Sequence, residues 1–101
     1  EASFVGCSLD YSTFLQMNIK GTRFERSSLI DVDFTQAGLE GAVFADCDLR
    51  GTIFNASNLE KADFTTARNY ALDPDKNRLK KARFSLPAVL GLLTKYRIVI
   101  E

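Results

Sequence analysis

Cys7, Cys47 and a scatter of carboxylates are the side chains of this chain best able to react, ligate or bind. There is no histidine and no tryptophan. Histidine supplies most general bases near neutral pH and many zinc ligands, so hydrolytic and metal chemistry are disfavoured at the outset. The two cysteines have no CxxC pairing and no histidine beside them, and they read as small buried hydrophobes. Gly6, Gly21, Gly41 and Gly51 recur singly and make no phosphate loop. No catalytic residue, metal ligand or cofactor-binding residue is predicted.

What remains for the charges is recognition. Net charge is zero, yet residues 1–66 hold ten acidic residues against five basic ones, and from residue 67 onward the balance is three against eight. Asp10, Asp31, Asp33, Glu40 and Asp48 are the candidate partner-binding acids. Lys76, Arg78, Lys80, Lys81 and Arg83 form a basic cluster, read first as a solvated face that balances the acidic body.

The elements that position these groups follow from one period. Phe4, Phe14, Phe24, Phe34, Phe44, Phe54 and Phe64 alternate with leucine or isoleucine at every fifth residue, and Phe84 falls on the same count. Two places before each of these the residue is nearly always small, and the other three positions are mostly polar, charged or glycine. A period of five fits neither the helix nor the flat strand, but it fits a chain that turns a corner once per unit and winds into a solenoid. Phenylalanine at every second unit requires an even number of units per coil if like is to stack on like, which favours four units, or twenty residues. The eight phenylalanines then form a core ladder. The glycines fall two places after the central residue, at a corner that requires positive φ. Met17 and Val32 put bulk at the small position and are expected to distort the coil.

The segment 67–76, ARNYALDPDK, places Asn69 and Pro74 at central positions, after which Leu79 and Phe84 resume in phase. The break therefore preserves the coil length. Cys7 and Cys47 fall in one inward column two coils apart, roughly 9–10 Å at the spacing of sheet strands. That exceeds disulfide reach, so two buried reduced thiols are expected, compatible with a cytosol. After Phe84 the pattern changes. Ser85 reads as an N-cap, Pro87 suits a first helical turn, and Leu86, Val89, Leu90, Leu93 and Tyr96 follow helical spacing. A short helix should close the open edge, and residues 97–101, RIVIE, read as a strand whose partner is another copy.

Units such as AVFAD, CDLRG, SNLEK and ADFTT resemble the A(D/N)LXX consensus of the pentapeptide-repeat family, continuously over residues 2–66 and again over 77–86. The resemblance implies an all-β solenoid: a right-handed quadrilateral β-helix of about four coils with a short carboxyl-terminal capping helix and terminal strand. Residues 1–84 would be the repeat body, with 67–76 irregular but in phase, and 85–101 the cap and dimerisation element. The terminal LLTKYRIVI resembles the end of the quinolone-resistance (Qnr) branch. This implies a bacterial homodimer formed through Leu90, Leu93, Tyr96, Ile98, Val99 and Ile100, and a DNA mimic that binds gyrase or topoisomerase IV. No enzyme activity, cofactor, direct nucleic-acid contact or membrane contact is expected. The alternative is an interaction scaffold for another partner, bound through exposed Leu15, Ile30, Val43 and Ile53 or through the basic end.

At 101 residues, 46% apolar and 26% charged, the composition is that of one ordinary globular domain. Its apolar runs fall short of the roughly 18 residues of a membrane span, and no leader segment is present. Glu1 in place of Met reads as a processed or excised piece, so the expected cytoplasmic location rests on the thiols.

Overall fold

In the computed structural model, which describes residues 2–101, three short strands lie side by side: β1 (Ser3–Val5), β2 (Arg23–Glu25) and β3 (Val43–Ala45). Glu1, counted above among the acids, lies outside the described residues. The strands form one parallel sheet in sequence order, Phe4 opposite Phe24 and Phe24 opposite Phe44. Isolated parallel bridges extend the rule to Ser8, Ser28, Asp48 and Arg68, to Thr13, Asp33 and Ile53, and to Asn18, Gly38, Asn58 and Arg78. Every pairing joins a residue to the one twenty places on, so the chain passes over itself in coils of twenty residues with four bridged sides. A parallel pair needs a long crossover, and here the rest of the coil provides it. The body measures 39 × 24 × 23 Å.

The five-residue unit explains the burial. From Thr22 to Phe64 the central residue and the small residue two before it are buried in every unit. The central phenylalanines stack in two columns. Phe4, Phe24, Phe44, Phe64 and Phe84 lie 5.0–5.2 Å apart between ring centroids, and Phe14, Phe34 and Phe54 lie 5.1 and 5.4 Å apart. The columns meet edge to face, as at Phe24 and Phe34 with centroids 5.9 Å apart, so each ring offers its face along the axis and its edge across it. Burying each ring contributes about 1.5–3 kcal/mol.

The four corner glycines have the expected positive φ, and they are not alone in it. Gly6, Gly21, Gly41 and Gly51 take φ of 63–72°, and nine other residues at equivalent positions, among them Tyr11, Asp31, Ala56 and Lys61, also lie in the left-handed region. The reason is a hydrogen bond. At most corners the turned N–H reaches a carbonyl in the next coil, Tyr11 donating to Ile30 and Gln16 to Thr35 at 2.9 Å, while Asp46 donates to the Thr66 hydroxyl instead. That bond holds residues at a φ that disfavours a side chain by roughly 1–2 kcal/mol each.

Met17 and Val32 do not interrupt the ladder. Val32 is fully buried, the bridges Asn18–Gly38 and Asp33–Ile53 run past both residues, and the Val32 N–H to Leu29 carbonyl bond is merely long at 3.3 Å. Met17, in the first coil, is exposed. Cys47 is buried as expected, but Cys7 is only half-buried, because nothing described lies above its coil.

In the fourth coil Asn69 takes φ 66° and hands the inward place to Tyr70, which is buried against Phe64 and Phe84 with centroids 5.5 and 5.8 Å away. A 3-10 helix, Pro74–Lys76, follows, capped by Asp73, which accepts the Asp75 N–H. Asn77 ties it back by donating to the Phe54 and Asp73 carbonyls and accepting from the Ser57 N–H. The bridges Asn58–Arg78 and Asp63–Arg83 show the register restored.

The closing helix, Ala88–Tyr96, is a 3-10 helix rather than an α-helix. Pro87 takes the N-cap place with no side-chain cap bond, and Ser85 Oγ instead donates to the Thr65 carbonyl. Ala88 and Leu92 pack on the core, Val89 and Leu93 are half-buried, and Leu86, Leu90 and Tyr96 are exposed. Gly91 decides this, since its Cα lies so close to the Tyr70 carbonyl that no side chain fits there. Residues 98–101 form no strand, because a strand needs a partner ladder and none is offered within the described residues.

Candidate interaction surfaces

The candidate acids sit on three different sides and at one corner. Asp10 and Asp48 belong to the second side, the one bridged through Ser8, Ser28 and Asp48. Asp31 stands at the corner that follows, with φ 56°, Asp33 is on the third side, and Glu40 is on the fourth. They are not gathered into one patch.

Several of these carboxylates hold the coil together. Asp33 Oδ1 accepts the Thr35 N–H at 2.8 Å and the Thr35 hydroxyl at 2.6 Å, and Asp63 does the same for Thr65. Thr13, Asn18, Asp48, Asn58 and Asp73 occupy the same place in their units and accept the N–H two residues on. In these seven units the polar residue before the central position thus closes a local turn that the ladder leaves open. Asp10 works between coils, accepting from the Ser28 hydroxyl at 2.5 Å and the Ile30 N–H at 2.9 Å. Glu40 Oε1 is buried over Gly38 and makes no hydrogen bond.

Charge pairing follows the same columns. Partial burial disfavours the charged forms of Asp48 and Asp63, but hydrogen bonds outweigh it and both carboxyls titrate below the ordinary range. For Asp48 the donors are the Asn69 amide and the Arg50 N–H, with Arg50 Nη2 3.3 Å away. For Asp63 they are the hydroxyl and N–H of Thr65, with Arg83 3.5 Å off. The basic cluster is therefore partly occupied, since Arg78 also reaches Glu60 at 3.1 Å. Lys61, Lys76, Lys80 and Lys81 are exposed and, among the described residues, make no ion pair.

Of the apolar candidates, Leu15 and Ile53 are exposed on the third side, while Ile30 and Val43 are half-buried on the second and first. Sequence grouped four residues that the fold separates. The larger apolar surface is at the carboxyl end: Leu86 and Val99 are 81% and 82% exposed, and Leu90, Tyr96, Ile98 and Ile100 are exposed beside them. A shallow recess of about 310 Å³ lies among Leu90, Leu93, Thr94, Arg97, Ile98 and Ile100. Lys95 clamps this element to the body, its Nζ 2.8 Å from Asp73 and 2.5 Å from Asp75. Hydrogen bonds to Asp73 and then Asp75 raise the Lys95 pKa, and the bond from Lys95 is the main cause that lowers that of Asp73.

Tyr70 and Gly91, on which the cap rests, escaped the sequence reading. The available signal was an aromatic residue one place after a polar residue at a unit centre, and a glycine inside an apolar run.

The profile of the pentapeptide repeat region family matches residues 1–66. Among solved structures the chain is similar to HetL, a pentapeptide repeat protein involved in heterocyst differentiation regulation from the cyanobacterium Nostoc sp. strain PCC 7120. The TM-score is 0.68 at 19% identity, over 78% of this chain and 38% of HetL. A second pentapeptide repeat protein of Nostoc PCC 7120 aligns at TM-score 0.51 and 20% identity, over 77% of this chain and 80% of that one. QnrB1, a plasmid-mediated fluoroquinolone resistance protein, aligns at TM-score 0.35 and 18% identity, over 79% of this chain and 46% of its own. This chain thus spans well under half the length of HetL. Among curated proteins none matches. No helix of the described residues is long and apolar enough to cross a membrane.

Proposed function

This chain belongs to the pentapeptide-repeat family, and from that premise we propose that it is a right-handed quadrilateral β-helical rod that acts by binding other proteins, without catalysis, as a homodimer joined at residues 85–101. The observation that carries the reading is the division of labour along each unit. Inward side chains are committed to stacked columns, and where the residue before them is Thr, Asn or Asp it is committed to a turn. Outward side chains are left in rigid columns, a surface suited to recognition. The exposed Leu90, Tyr96, Ile98, Val99 and Ile100 support self-association, because an apolar segment of this kind is stabilised when a second copy covers it. The free thiols suit a reducing cytoplasm.

Removal of residues 97–101 tests the dimer. The intact chain should elute as a dimer and the shortened chain as a monomer, and a shortened chain that still dimerises refutes the proposal. The recognition surface is tested by retention of partners from extract: Leu15→Lys or Ile53→Lys should deplete a bound protein, and a rod that retains none in any form refutes protein binding.

A narrower reading, a DNA mimic at gyrase or topoisomerase IV, is favoured by Asp10, Asp31 and Asp48 lying on one side and its corner. The field is thin. Duplex DNA carries one charge per about 1.7 Å of axis, whereas Asp10 and Asp48 are two coils apart and Arg50 pairs with Asp48. A supercoiling assay decides between the readings. Asn can still accept the N–H bonds that Asp10 and Asp48 accept, so Asp10→Asn, Asp31→Asn and Asp48→Asn together should abolish inhibition and leave the fold intact if charge mimicry operates. Absence of any effect of the parent protein on gyrase removes this reading and leaves the scaffold.

A further inference from the structure

We infer that the fourth side of the last coil docks an extended acidic polypeptide segment with carboxylates at alternate residues, a partner class that rests on the protein-binding reading above. Lys76 and Lys81 stand at the two corners of that side, with Arg78 and Lys80 between them, and Lys61 lies one coil above, its N–H bonded to the Lys80 carbonyl at 3.0 Å. The acids and bases facing them from neighbouring coils are Glu60, Glu40 and Lys20, and Asp73 and Asp75, beside Lys76 at the first corner, are held by Lys95. Glu60 is held by Arg78, and Glu40 lies a further coil away with its Oε1 turned down over Gly38. Lys80 and Lys81 on this side, Lys76 at its first corner and Lys61 one coil above therefore form a column of lysines that, among the described residues, make no ion pair.

The chemistry of the partner follows from what these groups can hold and what they lack. Alternate side chains of an extended chain point the same way, so carboxylates two residues apart face one surface together. Within this chain two carboxylates two residues apart, Asp73 and Asp75 at the start of the short 3-10 helix, already share the single ammonium of Lys95, at 2.8 and 2.5 Å. Single-stranded nucleic acid is held by exposed aromatics as well as by charge. On these coils Phe64 and Tyr70 are buried in the core and Phe84 stacks inward upon them, so no aromatic is offered on this side.

The test is fluorescence anisotropy of a labelled peptide of alternating glutamate and serine against the full chain, at about 50 and about 300 mM salt. The parent protein should bind it and bind more weakly at the higher salt. The triple variant Lys76→Gln, Lys80→Gln, Lys81→Gln should weaken binding about tenfold or more with an unchanged circular dichroism spectrum, while Lys20→Gln, on the same side in the first coil, should leave it unchanged. No binding of the acidic peptide, equal loss in Lys20→Gln, or tighter binding of an oligothymidylate than of the peptide each overturns the proposal. Those failures concern this side alone, since partner retention through Leu15 and Ile53 and the dimer are read in separate assays.

Discussion

Gly91→Ala is the sharpest test of how the cap is seated. A Cβ at this place would overlap the Tyr70 carbonyl oxygen and lie 3.1 Å from its carbonyl carbon and 3.4 Å from Cδ1. The obstacle is backbone, and Tyr70 is itself buried against Phe64 and Phe84, so the strain cannot be relieved by swinging a flexible side chain away. The 3-10 helix must move outward by about an ångström, loosening Ala88 and Leu92 from the core. Overpacking of this kind costs about 1–3 kcal/mol. For a domain of this size that lowers Tm by about 5–20 °C. A second readout is specific to the seat. Tyr11 and Tyr96 are exposed, whereas burial raises the Tyr70 pKa. In the parent protein the Tyr70 phenol should ionise above the ordinary tyrosine range, as followed by ultraviolet absorbance against pH. The folded state favours neutral Tyr70, so stability is constant below the ordinary tyrosine pKa of about 10 and falls as pH rises above it. In Gly91→Ala this ionisation should move back toward the ordinary tyrosine range and the alkaline loss should shrink. A variant that melts within about 1 °C of the parent and keeps its raised Tyr70 ionisation would refute the seating argument.

Ala56 has φ 55° with no polar side chain to ease it, so Ala56→Gly should raise stability by up to about 1 kcal/mol in urea unfolding, the relief of left-handed strain exceeding the added freedom of the unfolded chain. The bond from Lys95 holds the Asp73 carboxyl below its ordinary range; the stability it contributes is present above the unfolded value near 4 and is lost as pH falls through the folded one. Lys95→Met should therefore flatten the acid limb of the melting curve, and an unchanged limb would show that the clamp does not form. Cys47 is fully buried with its pKa raised chiefly by desolvation, while Cys7 is half-buried. A thiol reagent should modify Cys7 first, with Cys47 following only on unfolding. Phe44→Ala removes a fully buried ring that stacks on both Phe24 and Phe64, and should destabilise the chain by about 3–5 kcal/mol by calorimetry or urea titration.

The five-residue period by itself determined the coil of twenty residues, the two phenylalanine columns, the corners and the resumption of register at Leu79 and Phe84. Each unit must turn one large side chain inward, so composition at every fifth place is already a statement about three dimensions. The tertiary structure alone decided the rest. Asp33 reads from sequence as a free surface charge, but its oxygen is engaged by Thr35, and Asp10 is engaged by residues of the next coil, some twenty places away. The apolar run after Leu86 admits several helical faces, and the meeting of Gly91 with the Tyr70 carbonyl selects one of them. The basic cluster reads as one patch until the coil above it takes Arg78 and Arg83 into pairs with Glu60 and Asp63. Periodicity encodes what every unit shares; which particular side chains stay free depends on neighbours that only the stacking of coils brings within hydrogen-bonding distance.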